Sequence, residues 1–312
     1  MAIPADETKR YYDFVNQLIK DLGTIAIPPD SMLWHYTNGT ALIAIIETGT
    51  IFATQLSGLN DTTELRYGSR ILQEALASLR GKHKEDATSL GFIDGAIGFF
   101  KENTDFPAQN VVPHFVTCFS EVKDHLSQWR AYGGGENGYA IGFKAKDLWG
   151  CPNSMVARIN YDCDLHRELA RRAAEKALEF FLEGIRKFSP SDIIQWGREF
   201  LEAWNGAITM VAPLVKDPGF ANEHECRIVK GFVQDDLTSL KFIQKSSLMS
   251  RHLPIQPGPR SATKTYQLPI AEVMVGPCRH REISRTSVDT LLRKKGYSSI
   301  LVSISKVPFQ VA

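Results

Sequence analysis

The spacing of hydrophobic residues changes along the chain, and its period predicts where helices and strands occur. Over residues 8–22 the apolar positions recur every three or four residues, which predicts an N-terminal packing helix, within residues 1–30, that ends near Gly23. Residues 32–37 form a short apolar lead typical of a strand. They are followed by a polar helix start and an apolar run, residues 41–47, that predicts a buried helix ending near Gly49.

The rest of the chain mixes strand and helix patterns. Strands are expected near residues 111–120, 139–143, 155–161, 225–233, 240–244, 272–275 and 299–303. Helices are expected at about 63–80, capped by Asn60 or Asp61, at 165–211 with a break at Ser189-Pro190, and at 281–295. The glycine turn before residue 139 predicts that this strand is the second of a hairpin-like pair, and three prolines predict a loop at 254–261.

This order of elements predicts an α+β fold. Strands flank helical segments without regular β-α alternation, which disfavours a doubly wound sheet. We expect one domain over residues 31–312, with a mixed or antiparallel β core and a helical insertion at about 163–212.

Composition narrows the choice of partners and compartment. Lys plus Arg (36) nearly balance Asp plus Glu (35), so no global charge attracts nucleic acid or an anionic membrane. The five cysteines are odd in number and form no C-x-x-C pair, which favours reduced thiols. With no signal peptide and no apolar run of membrane-spanning length, a cytoplasmic protein without membrane contact is expected.

Three clusters of residues could carry chemistry. The first is His35 with Tyr36 and Thr37, where a strand ends and a helix begins. Polar side chains at such a junction are exposed on a rigid backbone, as a binding site requires. The alternative is a structural histidine whose hydrogen bonds are satisfied within the fold.

The second cluster is an E-x-E triplet, Glu223 and Glu225, at the mouth of a strand. Because strand side chains alternate, both carboxylates are expected to point the same way, one stabilising a developing cation and the other orienting an acceptor. The alternative is an exposed strand edge on which Arg227 pairs with a glutamate. The histidines show no metal-ligand spacing, so no metal is expected.

The third cluster joins the hydroxyls of Thr117 and Ser120 to a loop with Trp129, Arg130 and Tyr132. It offers a ring face for a flat heterocycle and a cation for phosphate. Alternatively, Trp129 and Tyr132, three residues apart, form a helix face packed on the core.

These clusters occur in a fixed order along the chain. W-H-Y-T, L-N-D-x-x-E, C-F-S with S-Q-W-R-x-Y, G-x-A-I-G-F, K-x-P-x-F-x-x-E-x-E-x-R and V-x-V-G-P follow one another over residues 32–304. In this the chain resembles the bacterial family called domain of unknown function 2971. More distantly, it resembles ADP-ribosyltransferases, in which a His or Arg, a hydroxyl-bearing strand and a Glu follow in that order.

The ADP-ribosyltransferase resemblance implies a fold of that type, NAD as substrate and a role for each cluster. His35 would hold the ribose beside Tyr36 and Thr37, and Ser120 (or Thr117) would supply the hydroxyl. Glu225 would stabilise the sugar cation, and Glu223 would position the acceptor.

The same resemblance implies which residues would contact the nicotinamide and the pyrophosphate of NAD. Trp129 or Tyr132 would stack on nicotinamide, and Arg130 or Lys216 would meet the pyrophosphate. The implied function is an ADP-ribosyltransferase or NAD glycohydrolase acting on an unknown macromolecular acceptor. A toxin or antiphage effector, with an antitoxin or immunity partner, fits that class. The alternatives are a non-enzymatic module that binds a nucleotide or a partner on the same fold, and an RNA-processing phosphotransferase.

Overall fold

A computed structural model describes residues 3–24, 26–59, 63–102, 114–133, 138–151, 153–187, 192–231, 237–244, 249–258, 267–297 and 299–308. The α-helices are α1 Ala5–Asp21, α2 Gly39–Thr48, α3 Thr63–Lys82, α4 Ala87–Glu102, α5 Leu126–Tyr132, α6 Ala145–Leu148, α7 Cys163–Ile185, α8 Ile193–Ile208 and α9 Arg281–Lys294. The strands are β1 Met32–Asn38, β2 Ile51–Gln55, β3 His114–Ser120, β4 Gly138–Lys144, β5 Ser154–Arg158, β6 Glu225–Gly231, β7 Lys241–Gln244, β8 Met249–Ile255, β9 Ile270–Val275 and β10 Leu301–Ile304.

The chain divides into two compact units. A helical unit comprises the described parts of Met1–Thr24, Leu59–His114 and Asn160–Phe220. A sheet unit comprises those of Ile25–Gly58, Phe115–Ile159 and Ala221–Ala312. The helical block expected at about 163–212 therefore groups with α1, α3 and α4.

Aromatic rings hold the helical unit together. Tyr11 of α1 is 1% exposed, and its ring centroid lies 5.1 Å from that of Phe180, 5.4 Å from that of Phe200 and 6.0 Å from that of Trp204. The expected N-terminal helix is confirmed, as is its end at Gly23, which has a left-handed φ of 66°. No helix within the described ranges is both long and apolar enough to cross a membrane.

The sheet unit is built on one mixed sheet. Its strand order is β10-β9-β4-β1-β3-β2-β8-β7, and β6 pairs with both β3 and β5. The β9–β10 pair is parallel, whereas β1 is antiparallel to β3 and β4, and β2 to β3 and β8. The expected combination of helices with a mixed sheet is confirmed.

The junction between β1 and α2 follows the sequence prediction closely. The Asn38 side chain accepts a hydrogen bond from the Ala41 backbone N–H at 2.9 Å, which caps the helix. Gly49 ends the helix with a φ of 63°, a conformation that glycine adopts without strain. Local signals alone therefore specify where β1 stops.

Some expectations fail where pairing is not local. β4 pairs with β1 and β9 rather than forming a hairpin with β3, and α5 lies between β3 and β4 in the chain. The expected loop at 254–261 begins too early, because Pro254 belongs to β8 and lies opposite Phe52 of β2. The proposed caps Asn60 and Asp61, and the break at Ser189-Pro190, lie outside the described residues.

The two faces of the sheet carry different clusters. One face contributes to a large apolar cluster, here called the main core, with Leu33, Phe119, Ile141, Cys226 and Val273 among its members. The other carries a smaller aromatic cluster, which consists of Trp34, Tyr36, Trp129, Ala140 and Met274. Membership of these two clusters shows which side chains of the predicted site lie on the same face of the sheet.

Candidate functional site

His35 lies on the face of the main core. It follows Leu33 by two residues, and its register partner on β4 is Ile141, both members of the main core. Its Nδ1 lies 2.9 Å from the carbonyl oxygen of Cys118, and its ring centroid is 5.7 Å from that of Phe119. The half-buried ring therefore ties β1 to β3.

Burial lowers the pKa of His35, although the hydrogen bond to the Cys118 backbone opposes the shift. Since the folded chain binds this proton more weakly than the unfolded chain, the neutral form stabilises the fold above the ordinary pKa of 6.5. That stability is lost as the pH falls below this value, towards the lowered pKa of the folded state.

We therefore expect His35→Gln, which cannot titrate, to lose less stability than the wild type between about pH 7.5 and about pH 5. The difference is worth about 1.4 kcal/mol for each unit by which the pKa is lowered. Urea unfolding at both pH values measures it. Equal pH dependence in the two proteins would show that burial does not perturb this imidazole.

Glu225 lies on the opposite face from His35. Its neighbour Cys226 belongs to the main core, so Glu225 and Arg227 point the other way. Arg227 is 0% exposed and Glu225 is 4% exposed. Nε of Arg227 donates to Oε1 of Glu225 at 2.6 Å, and Nη2 donates to Oε2 at 2.9 Å. The alternative pairing of Arg227 with a glutamate thus occurs, but in a buried setting.

Glu223 is positioned by residues from β3 and α5. Its backbone oxygen accepts from the Ser120 hydroxyl at 2.7 Å and from Gln128 Nε2 at 3.3 Å. Its carboxylate Oε1 accepts from the Tyr132 hydroxyl at 3.3 Å. Ser120, Gln128, Tyr132 and Glu223 are called the Glu223 cluster below.

The strand geometry that would point Glu223 and Glu225 the same way is absent, because only Glu225 lies in β6. Glu223 ends a 3₁₀ turn, Pro218–Glu223, and β6 begins only at Glu225. His224 between them has a φ of 44°, a left-handed conformation that breaks the strand geometry. The two carboxylates are therefore held by different partners.

Several other predicted site residues are buried in structural roles. The Thr117 hydroxyl donates to the Phe52 carbonyl at 3.3 Å, and Thr37 is 8% exposed. The Tyr36 hydroxyl donates to the Val122 carbonyl at 2.9 Å, and burial raises its pKa to about 12. None of these three offers an open surface to a large ligand.

Trp129 is on a helix, as the alternative interpretation predicted. It is 1% exposed, its centroid lies 4.7 Å from that of Tyr36, and its Nε1 donates to Asp124 at 2.9 Å. On the same helix, α5, Arg130 is exposed and Tyr132 is 37% exposed. Of the two rings predicted to stack on a ligand, only Tyr132 can be reached from solvent.

Glycines make the burial of Trp129 possible. The Gly276 N–H donates to the Gly138 carbonyl at 2.8 Å. A Cβ at Gly276 would meet the Trp129 ring at 2.9 Å, and one at Gly138 would meet it at 3.1 Å. The G-x-A-I-G-F and V-x-V-G-P motifs therefore supply the backbone surface against which the tryptophan packs.

Lys216 belongs to the helical unit. It is 3% exposed, and its Nζ lies 4.7 Å from the ring centroid of Phe220. A buried cation that faces an aromatic ring has a structural explanation.

Sequence patterns do not identify two further groups of polar residues. Gln128 joins the Glu223 cluster, and its place in S-Q-W-R-x-Y was the signal that could have revealed it. His252 of β8 lies with Nδ1 3.1 Å from the Thr54 hydroxyl and Nε2 2.6 Å from that of Ser250. No spacing pattern in the sequence predicts these contacts of His252, because only the pairing of β2 with β8 brings Thr54 next to His252. Within the described ranges, no group of three His, Cys, Asp or Glu side chains could hold a metal ion.

Comparison with known families matches one part of the chain. Residues 128–228, less than half of the chain, match the model described as "Protein of unknown function (DUF2971)". The matched stretch is called the DUF2971 segment below. No curated protein and no solved structure matches the chain significantly.

The DUF2971 segment begins and ends at the candidate site. Gln128, at its first position, donates to Glu223 near its end, and Tyr132 contacts the carboxylate of the same residue. The Glu225–Arg227 pair also lies within the segment. The fold thus brings the two ends of the matched sequence together around two carboxylates.

Proposed function

We propose that the Glu223 cluster binds NAD and breaks its nicotinamide–ribose bond, on an ADP-ribosyltransferase-like fold. The observation that carries this proposal is the positioning of Glu223. Its backbone is anchored by Ser120 and Gln128, and its half-buried carboxylate is oriented by the exposed Tyr132 hydroxyl. A fixed carboxylate that a ligand can reach, and from which the bound ligand displaces water, suits the stabilisation of a transient cation.

The reaction requires a negative charge near the ribose. When the bond between nicotinamide nitrogen and ribose C1′ breaks, its electron pair leaves with nicotinamide and positive charge develops on the sugar. Glu223 stabilises that charge. A nucleophilic oxygen or nitrogen of the acceptor, or a water molecule, then bonds to C1′ and releases a proton.

The charge-stabilising role therefore moves from Glu225, where the sequence-based hypothesis put it, to Glu223. Both oxygens of Glu225 accept hydrogen bonds from Arg227, so this carboxylate stabilises the start of β6. Glu223 takes the role of the charge-stabilising residue. His35, on the face of the main core, holds β1 to β3 and leaves the ribose to other groups.

Two exposed side chains of α5 offer contacts for NAD. The Tyr132 ring presents a face for the nicotinamide, and the guanidinium of Arg130, two positions earlier, suits the pyrophosphate. Trp129 and Tyr36 are too deeply buried to stack on a ligand.

Release of nicotinamide from NAD tests the proposal. We expect turnover by the wild type in the presence of water or a protein or nucleic-acid acceptor. Glu223→Gln should lower the rate by about 10²–10³-fold, the usual loss when one stabilising group is removed. The matched control is Glu121→Gln, a half-buried glutamate that is paired with Arg158. Absence of nicotinamide with every acceptor, or full activity in Glu223→Gln, would refute it.

A binding function without chemistry is the second candidate. The occupation of both Glu225 oxygens by Arg227 favours it, because the carboxylate that the ADP-ribosyltransferase resemblance assigns to catalysis then serves structure instead. Calorimetric titration with NAD would then give saturable binding that Tyr132→Ala weakens, with no nicotinamide released.

If the catalytic protein acts as a toxin or antiphage effector, its expression in bacteria should stop growth, and Glu223→Gln should restore growth.

A further inference from the structure

The helical unit contains a largely apolar cavity of about 140 Å³. Side chains from α1, α3, α4, α7 and α8 line it, among them Leu18, Leu72, Phe100, Leu169, Ala170 and Ile208. An engineered apolar cavity of about 150 Å³ binds benzene, so this space accommodates a single small ring.

One ionisable side chain, His166, faces this cavity. The residue lies on α7 and is 5% exposed. Its Nδ1 lies 2.8 Å from the Tyr67 hydroxyl, whereas Nε2 is buried and has no hydrogen-bond partner in the part of the chain that the structure describes. The Asn160 backbone lies near enough to raise the pKa of the ring, but not in a geometry that gives Nε2 a hydrogen bond.

A buried nitrogen in this state destabilises the protein. A buried polar group without a partner has lost its hydrogen bonds to water and gained none in return. A water molecule at Nε2 would itself need about two to four polar partners, and the lining is mostly hydrocarbon. The other polar side chains of the lining are Ser69, Asn205 and Thr209. The Ser69 hydroxyl already donates to the Phe100 carbonyl at 3.4 Å, and the Thr209 hydroxyl to the Gly206 carbonyl at 3.1 Å. An organic molecule with one polar group satisfies this site better than water does.

We propose that the cavity binds a small ring alcohol of about the size of phenol, whose hydroxyl bonds to His166 Nε2. Burial lowers the pKa of the imidazole, so the ring is neutral. A neutral imidazole presents either a donor or an acceptor at Nε2, according to the tautomer that Tyr67 stabilises. A hydroxyl matches both, and the cavity walls take the hydrocarbon ring. This site is independent of the proposed NAD chemistry.

Phenol and benzene serve as the probes. We expect phenol to bind the wild type at least about tenfold more tightly than benzene, since one hydrogen bond to a buried partner is worth that factor. The ¹⁵N chemical shift of His166 Nε2 should move with phenol and not with benzene. Saturation-transfer NMR with calorimetry measures both affinities.

A matched pair of substitutions isolates the imidazole. His166→Leu should remove the preference for phenol and keep the binding of benzene, whereas His166→Gln, whose amide can replace the imidazole as a hydrogen-bonding group, should retain part of that preference. Ala170→Phe fills the cavity and should abolish the binding of both probes. If His166→Leu fails to fold, this variant still tests whether the probes bind in the cavity.

Three results would overturn the proposal. The first is that neither probe binds. The second is equal affinity for phenol and benzene in the wild type. The third is binding that persists in Ala170→Phe, which would place the probes elsewhere on the molecule.

Discussion

Replacing Arg227 with methionine should lower the free energy of unfolding by about 3–5 kcal/mol, the usual effect of removing one partner of a buried ion pair. The guanidinium is 0% exposed and donates two hydrogen bonds to Glu225, which is itself 4% exposed. Without them the Glu225 carboxylate loses its charge-assisted partner in a site where water is excluded. Urea unfolding of the single variant measures the loss.

The chain supplies a matched control for this pair. Arg158 makes the same two-point contact with Glu121, at 2.8 and 2.6 Å, but the side chains are 39% and 27% exposed. Because solvent screens this pair, Arg158→Met should cost only about 1 kcal/mol. The double variant Glu225→Gln/Arg227→Met should recover much of the loss, since it removes both charges. Equal losses in Arg227→Met and Arg158→Met would mean that burial does not set the strength of the Glu225 pair.

The contrast between Glu225 and His35 shows what the sequence could predict. Alternation along β1 predicts that His35 shares a face with Leu33, and alternation along β6 predicts that Glu225 and Arg227 share one. Whether the face that carries His35 is also the face that carries Glu225 depends on the register of strands that lie far apart in the chain. The order of motifs carries no such information, so the sequence predicts one site for His35 and Glu225, whereas the structure places them on opposite faces of the sheet.

Local signals were more dependable where a few residues decide the geometry. The Asn38 cap and the Gly49 stop specify the β1–α2 junction within a few residues of sequence. By contrast, the position of Glu223 depends on a left-handed His224, a conformation that sequence patterns do not predict for a residue that is not glycine. The cavity beside His166 likewise requires five helices to meet, which no periodicity reveals.

The position of the Glu223 cluster also depends on how α5 packs against the sheet. Tyr132 and Gln128 contact Glu223 from α5, and α5 is held against the sheet by Trp129 between them. The tryptophan and the two glutamates lie at opposite ends of the DUF2971 segment. The motifs of this segment therefore combine contacts at the candidate site with the packing that positions them.

Truncating Trp129 to alanine should lower the free energy of unfolding by about 3–5 kcal/mol, as expected for a large buried aromatic residue. The ring is 1% exposed, packs edge-on against Tyr36 and lies against the backbone of Gly138 and Gly276. Glycine backbone cannot move in to fill the space, so the cavity persists. Loss of the hydrogen bond from Nε1 to Asp124 adds to the cost.

Trp149→Ala is the matched control, because the same substitution is made in the same unit at a side chain that is 49% exposed. We expect a change within about 0.5 kcal/mol there. Gly276→Ala tests the other side of the contact and should cost about 1–3 kcal/mol, since the added methyl group would lie 2.8 Å from the Gly138 carbonyl oxygen and 2.9 Å from the indole ring. If Trp129→Ala were as mild as Trp149→Ala, the ring would not be what holds α5 on the sheet, and the orientation of Tyr132 towards Glu223 would need a different cause.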